Sequence, residues 1–145
     1  METHHNQTSS EDIRRIVLQS RRIAVLGIKT EAQSGQPAFD VAAYLAGQGI
    51  DVVPVPVYYP EVTQILGRAV YRRLVDIPGE IDLVDVFRRP KDIDAHINDI
   101  IAKKPKAVWF QLGIRNDAAA LKLVEAGIEV IQDRCLMVDH RRYGL

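Results

Sequence analysis

The chain has 145 residues, 47% of them apolar and 26% charged, the make-up of one globular domain large enough to bury a core. Nineteen lysines and arginines balance nineteen aspartates and glutamates, so bulk charge gives no footing for nucleic acid or a membrane surface as partner. A single cysteine, Cys135, excludes an internal disulfide framework and fits a reducing, cytoplasmic setting; no apolar run reaches the length of a membrane span, and the polar N-terminus is no signal peptide.

His4 and His5 open a polar stretch that reads as a flexible segment over residues 1–10, not a metal site, and residues 11–145 read as a single domain. Ser10 is placed to cap a first helix with Ile13, Ile16 and Val17 at helical spacing. Residues 23–26 form a short apolar run closed by Gly27, the pattern of a parallel strand buried on both faces. A polar loop over 28–36 leads to Pro37 in the first turn of a helix carrying Val41, Tyr44 and Leu45, which Gly49 ends. Residues 51–55 are the second strand. Residues 56–67, rich in tyrosine and interrupted by proline, read as a loop or a short turn of helix, and 69–71 as a short edge strand.

Residues 81–87 make a strong strand, and Pro90 opens a helix with Ile93, Ile97, Ile100 and Ile101 on one face. A strand at 107–111 follows, then a helix capped by Asn116 and ended by Gly127, a last strand at 129–131, and a tail over 133–145 that packs back as a short helix. Trp109 and Phe110 straddle their strand, which sends one ring under each helical layer. The alternation predicts an α/β fold: a doubly wound parallel sheet of about five to six strands with helices on both faces. Three strand-to-helix joints, after Gly27, at Phe87-Arg88-Arg89-Pro90 and after Gln111, belong on its carboxyl edge, where such sheets bind ligands.

That edge carries Lys29, Arg88, Arg89 and Arg115, which suits a ligand with several phosphates. The turn after the first strand has one glycine where a dinucleotide fingerprint needs three, and the second strand ends at Pro54-Val55-Pro56 without an acid for a ribose. No P-loop lysine motif follows any strand. Cys135 and His140 are the one pair that suggests nucleophilic catalysis, and both read better as structural residues. Asp85, inside an apolar strand, calls for a partner, and Arg134 is the expected one. Tyr58 and Tyr59 are loop aromatics that suit either a stacked adenine or a covered sheet edge.

Three motifs carry a family resemblance over nearly the whole chain: residues 85–90 (DVFRRP), 108–115 (VWFQLGIR) and 133–140 (DRCLMVDH). The sequence resembles the small single-domain CoA-binding proteins, similar to the N-terminal CoA-binding domain of the succinyl-CoA synthetase α subunit. The resemblance implies a Rossmann-like domain with CoA or acyl-CoA lying across the carboxyl edge. It implies phosphate contacts from Gly27, Ile28, Lys29 and Thr30, with Ser34, Gln36 and Pro37 at the helix entry. It implies Pro54, Val55 and Pro56 beside the adenosine. Phe87, Arg88 and Arg89 would face the pantetheine or diphosphate, with Gln111 and Gly113 at the far end of the groove. The resemblance takes in no second domain of the kind that supplies a phosphorylated histidine in succinyl-CoA synthetase, so the role it implies is non-catalytic binding. Two stretches depart from the family pattern: Ile28-Lys29 replaces a small residue and serine, and Pro56-Val57-Tyr58 lacks the usual asparagine and cation. The departures keep alternatives open: a member that has lost CoA and acts as a scaffold or homo-oligomer, or a subunit completing an acyl-CoA ligase with a partner chain.

Overall fold

The computed structural model describes residues 9–144, so His4, His5 and the rest of residues 1–8 lie outside the described part. The first helix, α1 (Ser10–Gln19), is capped by Ser9 and not by Ser10: the Ser9 Oγ accepts the Asp12 N–H at 3.1 Å and donates to the Asp12 carboxylate at 2.8 Å. A serine at either position would satisfy the pattern, and the first free N–H groups decide which one does.

Five strands, β1 (Arg22–Leu26), β2 (Asp51–Val55), β5 (Leu83–Val86), β6 (Ala107–Phe110) and β7 (Glu129–Ile131), form one sheet in the order β2-β1-β5-β6-β7. Every pairing in it is parallel. The strands are apolar on both sides because helices cover both faces. On one face α1, α2 (Pro37–Gly47) and α5 (Leu136–Tyr143) bury Ile13, Ile16, Phe39, Leu45 and Leu136 against Val25 and Trp109. On the other, α3 (Ile97–Lys103) and α4 (Asp117–Glu125) bury Ile97, Ile100 and Leu123 against Val84 and Phe110. Trp109 and Phe110 are both fully buried, one under each layer.

Three elements differ from the expected ones. The helix opened by Pro90 runs as a 3-10 helix over Pro90–His96 before α3 continues it. The segment after β2 holds a two-residue antiparallel pair, β3 (Gln64–Ile65) with β4 (Arg68–Ala69). Its turn residues Leu66 and Gly67 both have positive φ, 54° and 71°. Leu66 carries no turn signature, and its N–H is held by the Glu31 carboxylate at 2.7 Å. The expected edge strand at 69–71 therefore pairs in its own hairpin, touching the main sheet through the Tyr71 N–H and the Pro54 carbonyl at 3.0 Å. β2 is an edge strand of the main sheet, a position that tolerates Pro54 and its missing N–H.

Candidate functional site

The strand order reverses between β1 and β5: the chain leaves β1 for β2 on one side and then crosses to β5 on the other. The crevice of such a sheet lies outside the carboxyl ends at that reversal. Gly27 stands there with φ +86°, its N–H donated to the Val55 carbonyl at 2.9 Å. A Cβ at position 27 would sit 2.3 Å from the Phe87 carbonyl oxygen, so only glycine lets the joints after β1 and β5 close on one another.

Above this closure runs a groove of about 390 Å³. Seven of the residues singled out from the sequence line it: Lys29, Gln36, Pro37, Phe87, Arg88, Arg89 and Gly113. Ala38, Pro90 and Ile114 complete the lining; Pro90 and Ile114 stand in the motifs 85–90 and 108–115, and Ala38 is marked only by following Pro37. Gln36 is the N-cap residue of α2 and Pro37 its first residue, so the positive end of an 11-residue helix borders the groove.

The cations are held in defined places. Lys29 donates its Nζ to the Gln36 Oε1 at 2.5 Å. The Arg88 guanidinium lies 5.6 Å from the centroid of the Tyr58 ring and donates to the Tyr58 hydroxyl at 3.4 Å. Its Nε donates to the His96 Nε2 at 3.1 Å, and Asp92 lies 3.9 Å away. Arg89 is open to solvent and donates to Asp92 at 2.7 Å. Hydrogen bonding from Arg88 pulls the Tyr58 hydroxyl below the usual phenol value, and hydrogen bonding from Arg89, with the Arg88 charge adding to it, lowers Asp92. Burial, then the Arg88 charge, lowers His96. Arg115 does not join them: it pairs with Asp117 at 3.1 Å and is no part of the lining. Asp92 and His96 went unmarked in the sequence, although Asp92 at three and four residues from the two arginines of a helix entry is an ion-pair signal.

The remaining expected residues serve the fold around the groove. Ile28 is buried in the core under α2. Thr30 is buried, and with Gln33 it forms a capping box on the 3-10 turn Glu31–Gln33. The N–H groups of Lys29, Thr30, Gln33, Ser34, Gly35 and Gln36 all donate to acceptors within the protein. Pro54, Val55 and Pro56 are buried at the end of β2, outside the lining. Gln111 is buried too, and its Oε1 accepts the Leu136 N–H at 3.0 Å, which caps α5.

The geometry bears on two other expectations about chemistry. Asp85 has no ion pair with Arg134, which instead grips Asp139 through two bonds of 2.8 Å. Both carboxyl oxygens of Asp85 are buried without a hydrogen-bond partner, and burial pushes the group well above its ordinary value. A strand position between Val25 and Trp109 faces the interior, away from Arg134 at the start of the segment before α5. Cys135 is a half-buried free thiol, and the His140 Nδ1 shares a hydrogen bond of 2.9 Å with the Tyr44 hydroxyl, not with the cysteine. Among the described residues no group of three or more His, Cys, Asp or Glu could hold a metal, and no helix is long and apolar enough to cross a membrane.

The same architecture recurs in known proteins. The chain superposes with a TM-score of 0.84 on a Thermus thermophilus protein solved as cell-free ID.343, 36% identical, over 94% of this chain and 99% of that one. It is 30% identical to the uncharacterized protein YneT of Bacillus subtilis (strain 168) over 132 residues, 91% of this chain and 94% of that protein. At 16% identity and a TM-score of 0.65 the fold is shared with a dinucleotide-forming acetyl-coenzyme A synthetase of Ca. Korarchaeum cryptofilum, in which 81% of this chain matches 26% of the larger one. Residues 21–141 match the family described as CoA binding domain, and the chain belongs to that family.

Proposed function

We propose that this protein binds CoA or acyl-CoA across the carboxyl edge of its sheet and performs no chemistry on it. The observation that carries the reading is the meeting of three joints in one groove, where Lys29, Arg88 and Arg89 stand beside the N-terminus of α2. Phosphates are favoured at such a place by both point charge and helix dipole. Arg88, Arg89 and Lys29 are the residues to hold the phosphates of the ligand, and Gly113 with Ile114 the end to receive its pantetheine arm. Binding without catalysis is supported by the absence, among the described residues, of a hydrogen bond between His140, whose Nδ1 meets the Tyr44 hydroxyl, and Cys135.

The test is a melt and calorimetric screen with CoA, acetyl-CoA, NAD, ATP and inorganic phosphate. A ligand that prefers the native state adds about 2.7 kcal/mol at a hundredfold excess over its Kd. CoA is expected to raise Tm and release heat, and NAD and phosphate to do neither. A melt unmoved by CoA, with no heat of binding, removes the reading. One observation favours a second reading, a family member that serves as a scaffold without ligand: the amides of the first loop are engaged inside the protein. Light scattering that finds a monomer, combined with a CoA-dependent melt, removes that alternative.

A further inference from the structure

Arg88 is more enclosed than Arg89, with 13% of its side chain exposed against 67%. Its neighbours therefore decide where its charge stands. The Nε of Arg88 lies 3.1 Å from the Nε2 of His96. An arginine Nε–H has only a proton to offer, so Nε2 must present a lone pair and the ring proton belongs on Nδ1. The contact is thus made by a neutral imidazole. Protonation of Nε2 would set one N–H against another and place two cations in hydrogen-bond contact. The charged groups around His96 are Arg88 from the joint after β5, Asp92 from its own 3-10 helix and Asp99 from α3. The two carboxylates have other work. Asp92 accepts from Arg89, and Asp99 accepts the Leu74 and Val75 N–H groups at 2.7 and 3.2 Å.

We propose that His96 is a positioning residue for Arg88: its neutral ring holds the guanidinium in the groove wall, and its protonation releases that side chain, so the groove holds polyanionic ligands of the CoA class less tightly as pH falls. The affinity part of this rests on the CoA reading of the groove. Burial of the ring, then the Arg88 charge, places the transition below that of a free histidine, so the latch is closed at neutral pH and opens in acid. Asp99 and Asp92 oppose that shift. The Tyr58 ring, on the other side of the guanidinium, bears no charge through that range and stays a passive wall.

The experiment has two arms. In the ligand-free protein, NMR follows the His96 ring and the Arg88 Nε–H during an acid titration. The Arg88 Nε–H resonance is expected to shift or broaden in the same step as His96, below the free-histidine midpoint. An Arg88 signal that ignores the His96 titration overturns the latch, whatever the ligand. In the second arm CoA affinity is measured by calorimetry for wild type, His96→Gln and His96→Leu from about pH 7.5 to about pH 5. Glutamine keeps a neutral acceptor at every pH, and leucine keeps none. The affinity ratio between wild type and His96→Gln cancels the titration of the CoA phosphates. That ratio is expected to fall about tenfold across the range, with His96→Leu weak throughout. A ratio that stays constant overturns the proposal. Failure of both wild type and His96→Gln to bind CoA at any pH refutes the ligand reading and the affinity claim with it, and the first arm still decides the His96–Arg88 contact.

Discussion

Asp85 is fully buried, with both carboxyl oxygens unpartnered between Val25 and Trp109, and that arrangement has a measurable cost. Burial raises the carboxyl above its ordinary value in the folded protein, so the native state keeps a proton that the unfolded chain releases. With more protons bound in the native state, stability falls as pH rises. The contribution is complete below the ordinary carboxylate range and is lost as pH climbs through the raised native value, with a slope of at most about 1.4 kcal/mol per pH unit. Asp85→Asn keeps the shape and removes the proton. Against wild type it is expected to be level near the bottom of the range and to gain at least about 1 kcal/mol between pH 5 and pH 8. Asp85→Val also removes the unsatisfied polar atoms, suits a strand, and is expected to gain about 1–3 kcal/mol at neutral pH. Urea unfolding followed by Trp109 fluorescence at three pH values measures both. Parallel pH profiles for wild type and Asp85→Asn, or a destabilised Asp85→Val, would refute the account of an unpartnered buried acid.

Gly27→Ala forces a Cβ against the Phe87 carbonyl at positive φ and is expected to cost roughly 3 kcal/mol or more, read as a lowered urea midpoint with CoA binding lost. Trp109→Phe keeps a packed ring but strips the Nε1–H from the Arg134 carbonyl, 2.8 Å away; the expected loss is about 1–3 kcal/mol with an unchanged m-value. Arg72 donates to the carbonyls of Tyr58, Tyr59 and Val62 at 2.8–2.9 Å, so Arg72→Ala should speed proteolytic nicking of that loop with little change in Tm, as read by mass spectrometry of the fragments. Arg88→Gln and Arg89→Gln are each expected to weaken CoA about tenfold in calorimetry while leaving pantetheine, which has no phosphate, unaffected.

The sheet was legible because its strands are unbroken apolar runs and its turns end in glycine or begin with proline. β1, β2 and β7 follow such runs within a residue of the expected ends. The hairpin of β3 and β4 was not, since two-residue strands leave no periodicity and Leu66 gives no hint of a positive φ. The groove was legible at its joints for a related reason: a strand feeding straight into a helix fixes where the intervening residues stand. Seven of those residues line it. The finer roles were hidden because a polar residue at a strand end looks the same whether it meets a ligand or a backbone. Gln111 meets the Leu136 N–H and Thr30 meets its own turn. Asp85 misled in another way: a carboxylate in an apolar strand implies a partner by rule, and here the interior supplies none.

Gly27 and Ala38 delimit the loop between β1 and α2, one by its contact with Phe87 and the other by accepting the Lys29 N–H at 3.1 Å. Residues 30–36 hang between these pins, with most of their polar groups turned toward one another. Such a segment is a cassette. Its exposed residues 32 and 34 can change without moving the pins, while Glu31 holds the hairpin turn, Gln36 opens α2 and position 27 admits no side chain at all. New ligand preferences in this scaffold are therefore reached most simply at the exposed positions of residues 32–36, with the sheet and the arginines of the opposite wall left where they stand.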